Sequence, residues 1–176
     1  MPAPQSRKSG LFAASLSTPD RFSMPQIHRI ANDASLFALI TGSFRRLLGR
    51  ELANPSAGAE WLYHHAPFVV LAHDGGADPR FIYANETAQG CFEYSADELI
   101  GLPSRLSAEA PERAERQRLL DRVSRDGFIA DYSGIRIAKS GRRFRIENAI
   151  VWQLIDIDGA HHGQAATFSE WHDIVP

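Results

Sequence analysis

One cysteine, Cys91, is all that this 176-residue chain has, so an internal disulfide and a thiolate metal cluster are both excluded. Charge of one sign is scarce as well: 19 Lys and Arg against 21 Asp and Glu leave a net charge of −2, with the signs interspersed. No strong field therefore draws the chain to nucleic acid or to an anionic membrane. Long apolar runs are missing, none approaching the ~20 residues that span a bilayer. The start carries Arg7 and Lys8 but no continuous apolar core and no small-residue cleavage site, so it does not read as a secretory signal. Catalytic signatures are missing too. There is no G-x-S-x-G turn, no glycine-rich phosphate loop before a helix, and no H-E-x-x-H or H-x-x-x-H spacing.

What is present suits one compact domain. Hydrophobic residues make up 44% and charged residues 23%, enough for a core that needs no covalent staples. Residues 1–30 are dominated by Pro, Ser and Ala and read as a disordered tail, with translation from Met24 as an alternative start. Residues 31–176 read as the domain. The lone thiol and the missing signal fit a cytoplasmic protein.

Leu36, Leu39, Ile40, Phe44, Leu47 and Leu48 fall on one stripe of a helix capped by Asn32 or Asp33 and stopped at Asn54-Pro55. A short helix follows over 57–65. Phe68 to Ala72 and Phe81 to Ala84 are strands joined by the turn Asp74 to Pro79. Asn85 caps a helical segment to Phe92, and Ser95-Ala96-Asp97-Glu98 is a capping box for the next. Pro111 opens a helix that Gly127 ends, with Leu119, Leu120 and Val123 on its apolar side. Glu112 with Arg116, and Asp121 with Arg125, are four-residue charge pairs expected on its wet side. Three strands complete the chain, over 129–138, 142–155 and 163–171. Strands and helices in separate runs make an α+β fold with a five-stranded antiparallel sheet, short helices on one face and an N-terminal helix.

That order resembles PAS domains, and local motifs agree. Phe81-Ile82-Tyr83-Ala84-Asn85 is similar to their second strand and its asparagine. Phe92 to Gly101 resembles the family's F-G-Y-S-x-E-E-L-x-G segment, with Glu93 in place of glycine. Ser140-Gly141-Arg142-Arg143-Phe144 resembles the D-G-x-x-F turn, with serine for aspartate. A closer resemblance, over about residues 35 to 169, is to the MEKHLA family of PAS-like domains. It rests on Phe44 to Gly49, Ala66 to Leu71, Gly101 to Leu106, Asp131 to Arg136 and Gly163 to Ala166. The resemblance implies a sensory or interaction domain and no defined chemistry.

The PAS resemblance implies a pocket between sheet and helices. On the strand over 142–155, strict alternation would put Phe144, Ile146, Asn148, Ile150, Trp152 and Leu154 on one face, making Asn148 the lone amide there. Asn148 is therefore the first ligand candidate, with capture by backbone or water as the plainer account. Asn85 and Gln164 are further polar candidates, Asn85 chiefly as a helix cap. Val70, Tyr83, Ile137, Ile146 and Ile150 are the expected lining. Tyr132 could also bring a hydroxyl to the pocket.

Cofactors are unknown, with flavin and haem disfavoured. The photoactive cysteine of light-oxygen-voltage domains would fall at Ser104, and no histidine lies in the helices between Glu86 and Arg125. Cys91 reads as a small core residue, and His64-His65, His73, His161-His162 and His172 as loop histidines rather than metal ligands. Asp131, Glu147 and His172 are the weak basis for an acid–base enzyme. Lys139, Arg142, Arg143 and Arg145 read as a solvated basic hairpin. The expected function is a non-enzymatic sensor that binds a small molecule and signals in trans to a protein partner. The rival is a pure interaction module with a filled core, dimerising through the N-terminal helix with Val151, Trp152 and Trp171.

Overall fold

The computed structural model describes residues 26–175. The expected disordered tail lies outside these residues up to position 25. Its last five positions do not, because Gln26–Ala31 form helix α1, which brings Ala31 into the core. Helix α2 runs Ala34–Leu48. Asp33 caps it by accepting from the Leu36 N–H, and Gly49 closes it in the left-handed conformation at φ 70°. Helix α3 is Ala59–His64.

Strands β1 (Val69–Asp74) and β2 (Phe81–Ala84) follow as a hairpin, then α4 (Glu86–Phe92) and α5 (Ala96–Leu99). Ser95 and Glu98 form the expected capping box. A 3-10 turn at Ser104–Ser107 precedes α6 (Ala110–Asp126), and Gly127 ends that helix at φ 90°. The chain finishes with β3 (Phe128–Ile137), β4 (Arg143–Ile155), β5 (His161–Phe168) and β6 (Glu170–Asp173).

All pairings are antiparallel, in the order β2-β1-β5-β4-β3, with β6 on the first half of β4. The single strand expected over 163–171 is thus two, broken at Ser169. Both faces of the sheet are covered. Helices α4, α5 and α6 pack on the inner face, against Leu71, Phe144, Ile146 and Val151. Helix α2 packs on the outer face, where Ile40 and Phe44 meet Trp152 and Leu154. The apolar stripe of α2 and Trp152, expected at a dimer contact, are therefore buried against each other within the chain. Val151 lies on the inner face, and Trp171 packs edge-on against Phe168 at 5.9 Å.

Two bulges decide which side chains face inward. Ile129 pairs with Val151, Tyr132 with Ala149, and Gly134 with Ile146. Three steps on β3 thus match two on β4, then two on β3 match three on β4, and the register is restored. The extra residues are Asp131 and Asn148, both left-handed, at φ 57° and 51°. Beyond Asn148 the alternation of β4 is inverted, because one added residue moves every later side chain to the opposite face. Phe144, Ile146, Ala149 and Val151 point in, whereas Ile150, Trp152 and Leu154 point out to α2.

Candidate ligand cavity between helix and sheet

A cavity of about 60 Å³ lies between α6 and the inner face of the sheet. That is room for about two water molecules. Its apolar walls include Leu71, Phe81, Phe92, Leu119, Ile146 and Val151. Its polar groups are His73, Ser107, Arg116, Tyr132, Arg136 and Gln164, and no carboxylate lines it.

Two of these groups are buried cations. Arg116 is 8% exposed and donates from Nη2 to Ser104 Oγ at 2.9 Å. Burial, reinforced by Arg136, pushes its guanidinium down to about 10, still charged at neutral pH. Arg136 is 7% exposed. Its Nη1 donates to Ile135 O and its Nη2 to the Tyr132 hydroxyl at 3.2 Å, with the guanidinium 5.5 Å from the centre of that ring. Among the described residues neither arginine has a carboxylate partner. An uncompensated buried charge is costly, by several kcal/mol after relaxation.

The neutral groups add acceptors. His73 Nδ1 lies 2.8 Å from Asp74 O, a carbonyl, so Nδ1 carries the hydrogen. Burial, partly offset by that bond and reinforced by Arg116, holds the imidazole below its usual range. His73 is thus neutral at pH 7, with the Nε2 lone pair free. Nε2 is buried without a partner. Gln164 donates from Nε2 to Leu120 O at 3.0 Å and to Ser124 Oγ at 2.9 Å, while its Oε1 is buried and unpartnered. An outer groove of about 420 Å³ shares His73, Leu120 and Gln164 with the cavity.

Of the residues expected at the pocket, Ile146 and Gln164 line it. Asn148 does not: the bulge turns it out of the inner face, where it donates to Glu170 Oε2 at 3.1 Å and is exposed. Ile150 follows it outward. Ile137 pairs with Arg143 on the face opposite Arg136, so Arg136 takes the place expected for Ile137. Val70 and Tyr83 face α2 and α3. Asn85 is fully buried, and its amide is consumed within the chain. It accepts from the Val70 and Ala88 N–H groups and donates to Leu62 O and Phe68 O.

Several charged groups also differ from expectation. Arg116 is not on the wet side of α6. It sits three and four residues before Leu119 and Leu120, on the apolar stripe, and Glu112 faces Arg143 instead. Arg125 pairs with Asp126, and Asp121 accepts from Gln117. The basic hairpin is fully partnered. Lys139 meets Glu98, Arg142 meets Glu93 and Asp173, Arg143 meets Glu109, and Arg145 meets Glu147. His73, read as a loop histidine, is on β1 and buried because it pairs with Gln164 across the sheet.

The cofactors that the fold brings to mind do not fit. A cavity of this size has no room for a tricyclic isoalloxazine or a porphyrin, and two guanidiniums stand inside it. Ser104, at the place of a photoactive cysteine, is fully buried and holds Arg116. Burial pushes the Cys91 thiol up to about 12, which leaves it unreactive. Asp131, Glu147 and His172 do not line the cavity. Among the described residues no group of three or more His, Cys, Asp or Glu is arranged to hold a metal ion, and no helix is long and apolar enough to cross a membrane.

Comparison with solved structures gives the fold. The PAS domain of a Colwellia psychrerythraea protein matches with a TM-score of 0.55 at 15% identity, covering 64% of this chain and 90% of that one. A fungal light-oxygen-voltage photoreceptor domain matches with a TM-score of 0.52 at 17% identity, covering 81% and 98%. A variant of the photoreceptor Vivid matches with a TM-score of 0.52 at 18% identity, covering 74% and 99%. No curated protein matches the chain. The model of the MEKHLA domain matches residues 34–173, which span all of the sheet and every helix but α1. The chain has a PAS-type fold and belongs to the MEKHLA domain family.

Proposed function

We propose that this domain is a sensor that takes up a small molecule in the cavity between α6 and the sheet, without catalysis, and signals to a protein partner. The observation that carries the reading is a pair of buried acceptors, His73 Nε2 and Gln164 Oε1, that have no partner among the described residues and belong to two residues lining one cavity. Native proteins satisfy nearly all such atoms, and leaving one unpaired costs about 1–3 kcal/mol. A guest with hydrogen-bond donors would remove that cost. The PAS-type fold supports the reading, because it leaves room for a guest between sheet and helices.

The rival, an interaction module with a filled core, is less favoured because a filled core has no use for a cavity edged by charge. Denaturing mass spectrometry of the purified protein, paired with a thermal-shift screen of small molecules, tests the sensor. A co-purifying mass or a compound that raises Tm is expected. No stabilisation by any compound, together with unchanged behaviour when Ala149→Leu fills the cavity, would overturn it.

A further inference from the structure

We propose that the guest is a small hydroxycarboxylate, its carboxylate held between Arg116 and Arg136 and its hydroxyl donated to His73 Nε2 or Gln164 Oε1. The inference rests on the cavity being a ligand site and adds the chemical class of the ligand.

Charge comes first. Arg116 and Arg136 stand in one cavity with no carboxylate in its lining. Their recorded partners are neutral oxygens: Ser104 Oγ for one, and Ile135 O and the Tyr132 hydroxyl for the other. A guanidinium has five donors in a planar fork that matches a carboxylate. Two neighbouring guanidiniums out of water repel each other, and an anion between them turns that repulsion into attraction. The described residues supply the cations and no counter-charge, so the guest supplies it.

The second requirement is a donor. With Nδ1–H committed to Asp74 O, His73 keeps an unpaired acceptor on a residue that lines the cavity, and so does Gln164 with its Oε1. A simple carboxylate has nothing to give them. A hydroxyl on the adjacent carbon does. Phosphate and sulfate satisfy the arginines but set more anionic oxygens against the same two acceptors. Size narrows the class, since about 60 Å³ is well under the ~150 Å³ that takes up benzene, so the smallest such acid, glycolate, is the one that suits it.

The test uses the full chain and calorimetric titration with four probes: glycolate, acetate, glycolamide and ethanolamine. Glycolate is expected to bind and raise Tm. Acetate, lacking the hydroxyl, is expected to bind about tenfold more weakly, because neither His73 nor Gln164 then gains a donor. Glycolamide and ethanolamine are expected to show no binding. Arg136→Met should abolish the response to glycolate while leaving the ligand-free protein as stable as before or more so, since it removes one of two like buried charges. If that variant does not fold, the four-probe series on the unaltered protein decides. Glycolamide binding as well as glycolate would overturn the anionic class, and acetate binding equally well would overturn the hydroxyl assignment. Stabilisation by neutral compounds alone would sink the hydroxycarboxylate and leave the sensor standing. Stabilisation by none of the four would sink the hydroxycarboxylate alone, since the sensor falls only when the wider screen and Ala149→Leu both show nothing.

Discussion

The indole of Trp152 donates to Ser43 Oγ at 3.1 Å, joining β4 to α2 across 109 positions of sequence. Both residues are fully buried, and the same hydroxyl donates to Leu39 O at 2.6 Å. Phe44 adds an edge-on contact at 4.9 Å between ring centres. Ser43→Ala therefore strands a buried N–H, at a cost of about 1–3 kcal/mol. In a double-mutant cycle with Trp152→Phe, read by urea unfolding, the double variant should lose less than the sum of the two singles. Additive losses would mean the bond contributes nothing.

Asn85 makes four hydrogen bonds with one side chain, to Val70, Ala88, Leu62 and Phe68. Asn85→Ala orphans all four backbone groups in a dry region, so a loss of at least about 3 kcal/mol is expected. Asn85→Asp keeps both acceptor contacts but turns a carboxylate on two carbonyls, and should also be destabilised. Unfolding midpoints check both. A mild effect of Asn85→Ala would show that water replaces the amide.

The His73 imidazole is held below its usual 6.5, chiefly by burial. In the unfolded chain it takes its proton near 6.5, while the folded protein refuses it until lower pH. Between those values the unfolded state binds more protons, so stability rises with pH. The contribution is present above about pH 6.5 and is lost as pH falls toward the folded value. Unfolding midpoints measured from about pH 7.5 to about pH 5 should fall less steeply in His73→Gln than in the unaltered protein. Parallel curves would remove His73 as the cause.

At Asn148, with φ 51°, the backbone is left-handed and the side chain is exposed. Asn148→Gly should be nearly neutral, the lost bond to Glu170 being offset by backbone ease. Asn148→Val should cost about 1–2 kcal/mol, because a branched side chain is strained there. Equal stability of the two variants would show that the bulge relaxes.

Local chemistry makes much of the fold legible in the sequence. The Asn85 cap, the Ser95–Glu98 capping box, Gly127 and the Phe81–Ala84 strand all read directly, since each is decided within a few residues. The inner face of β4 did not, because alternation assumes an unbroken strand. Asn148 and Asp131 are residue types that tolerate left-handed backbone, but only the pairing of β3 with β4 shows that both use it. Arg116 was legible in principle: positions 116, 119, 120 and 123 make one stripe, and the Glu112 pairing rule obscured it. Arg136, a charge between Ile135 and Ile137, carried the same warning. His73 could not be read, because its burial depends on β5, about ninety positions later in the chain.

Val151 borders the cavity, and the next residue along the chain, Trp152, is fastened to α2. The partition between the two compartments is therefore a single peptide layer thick. A guest that displaces Val151 would tug on the indole, and through it on α2.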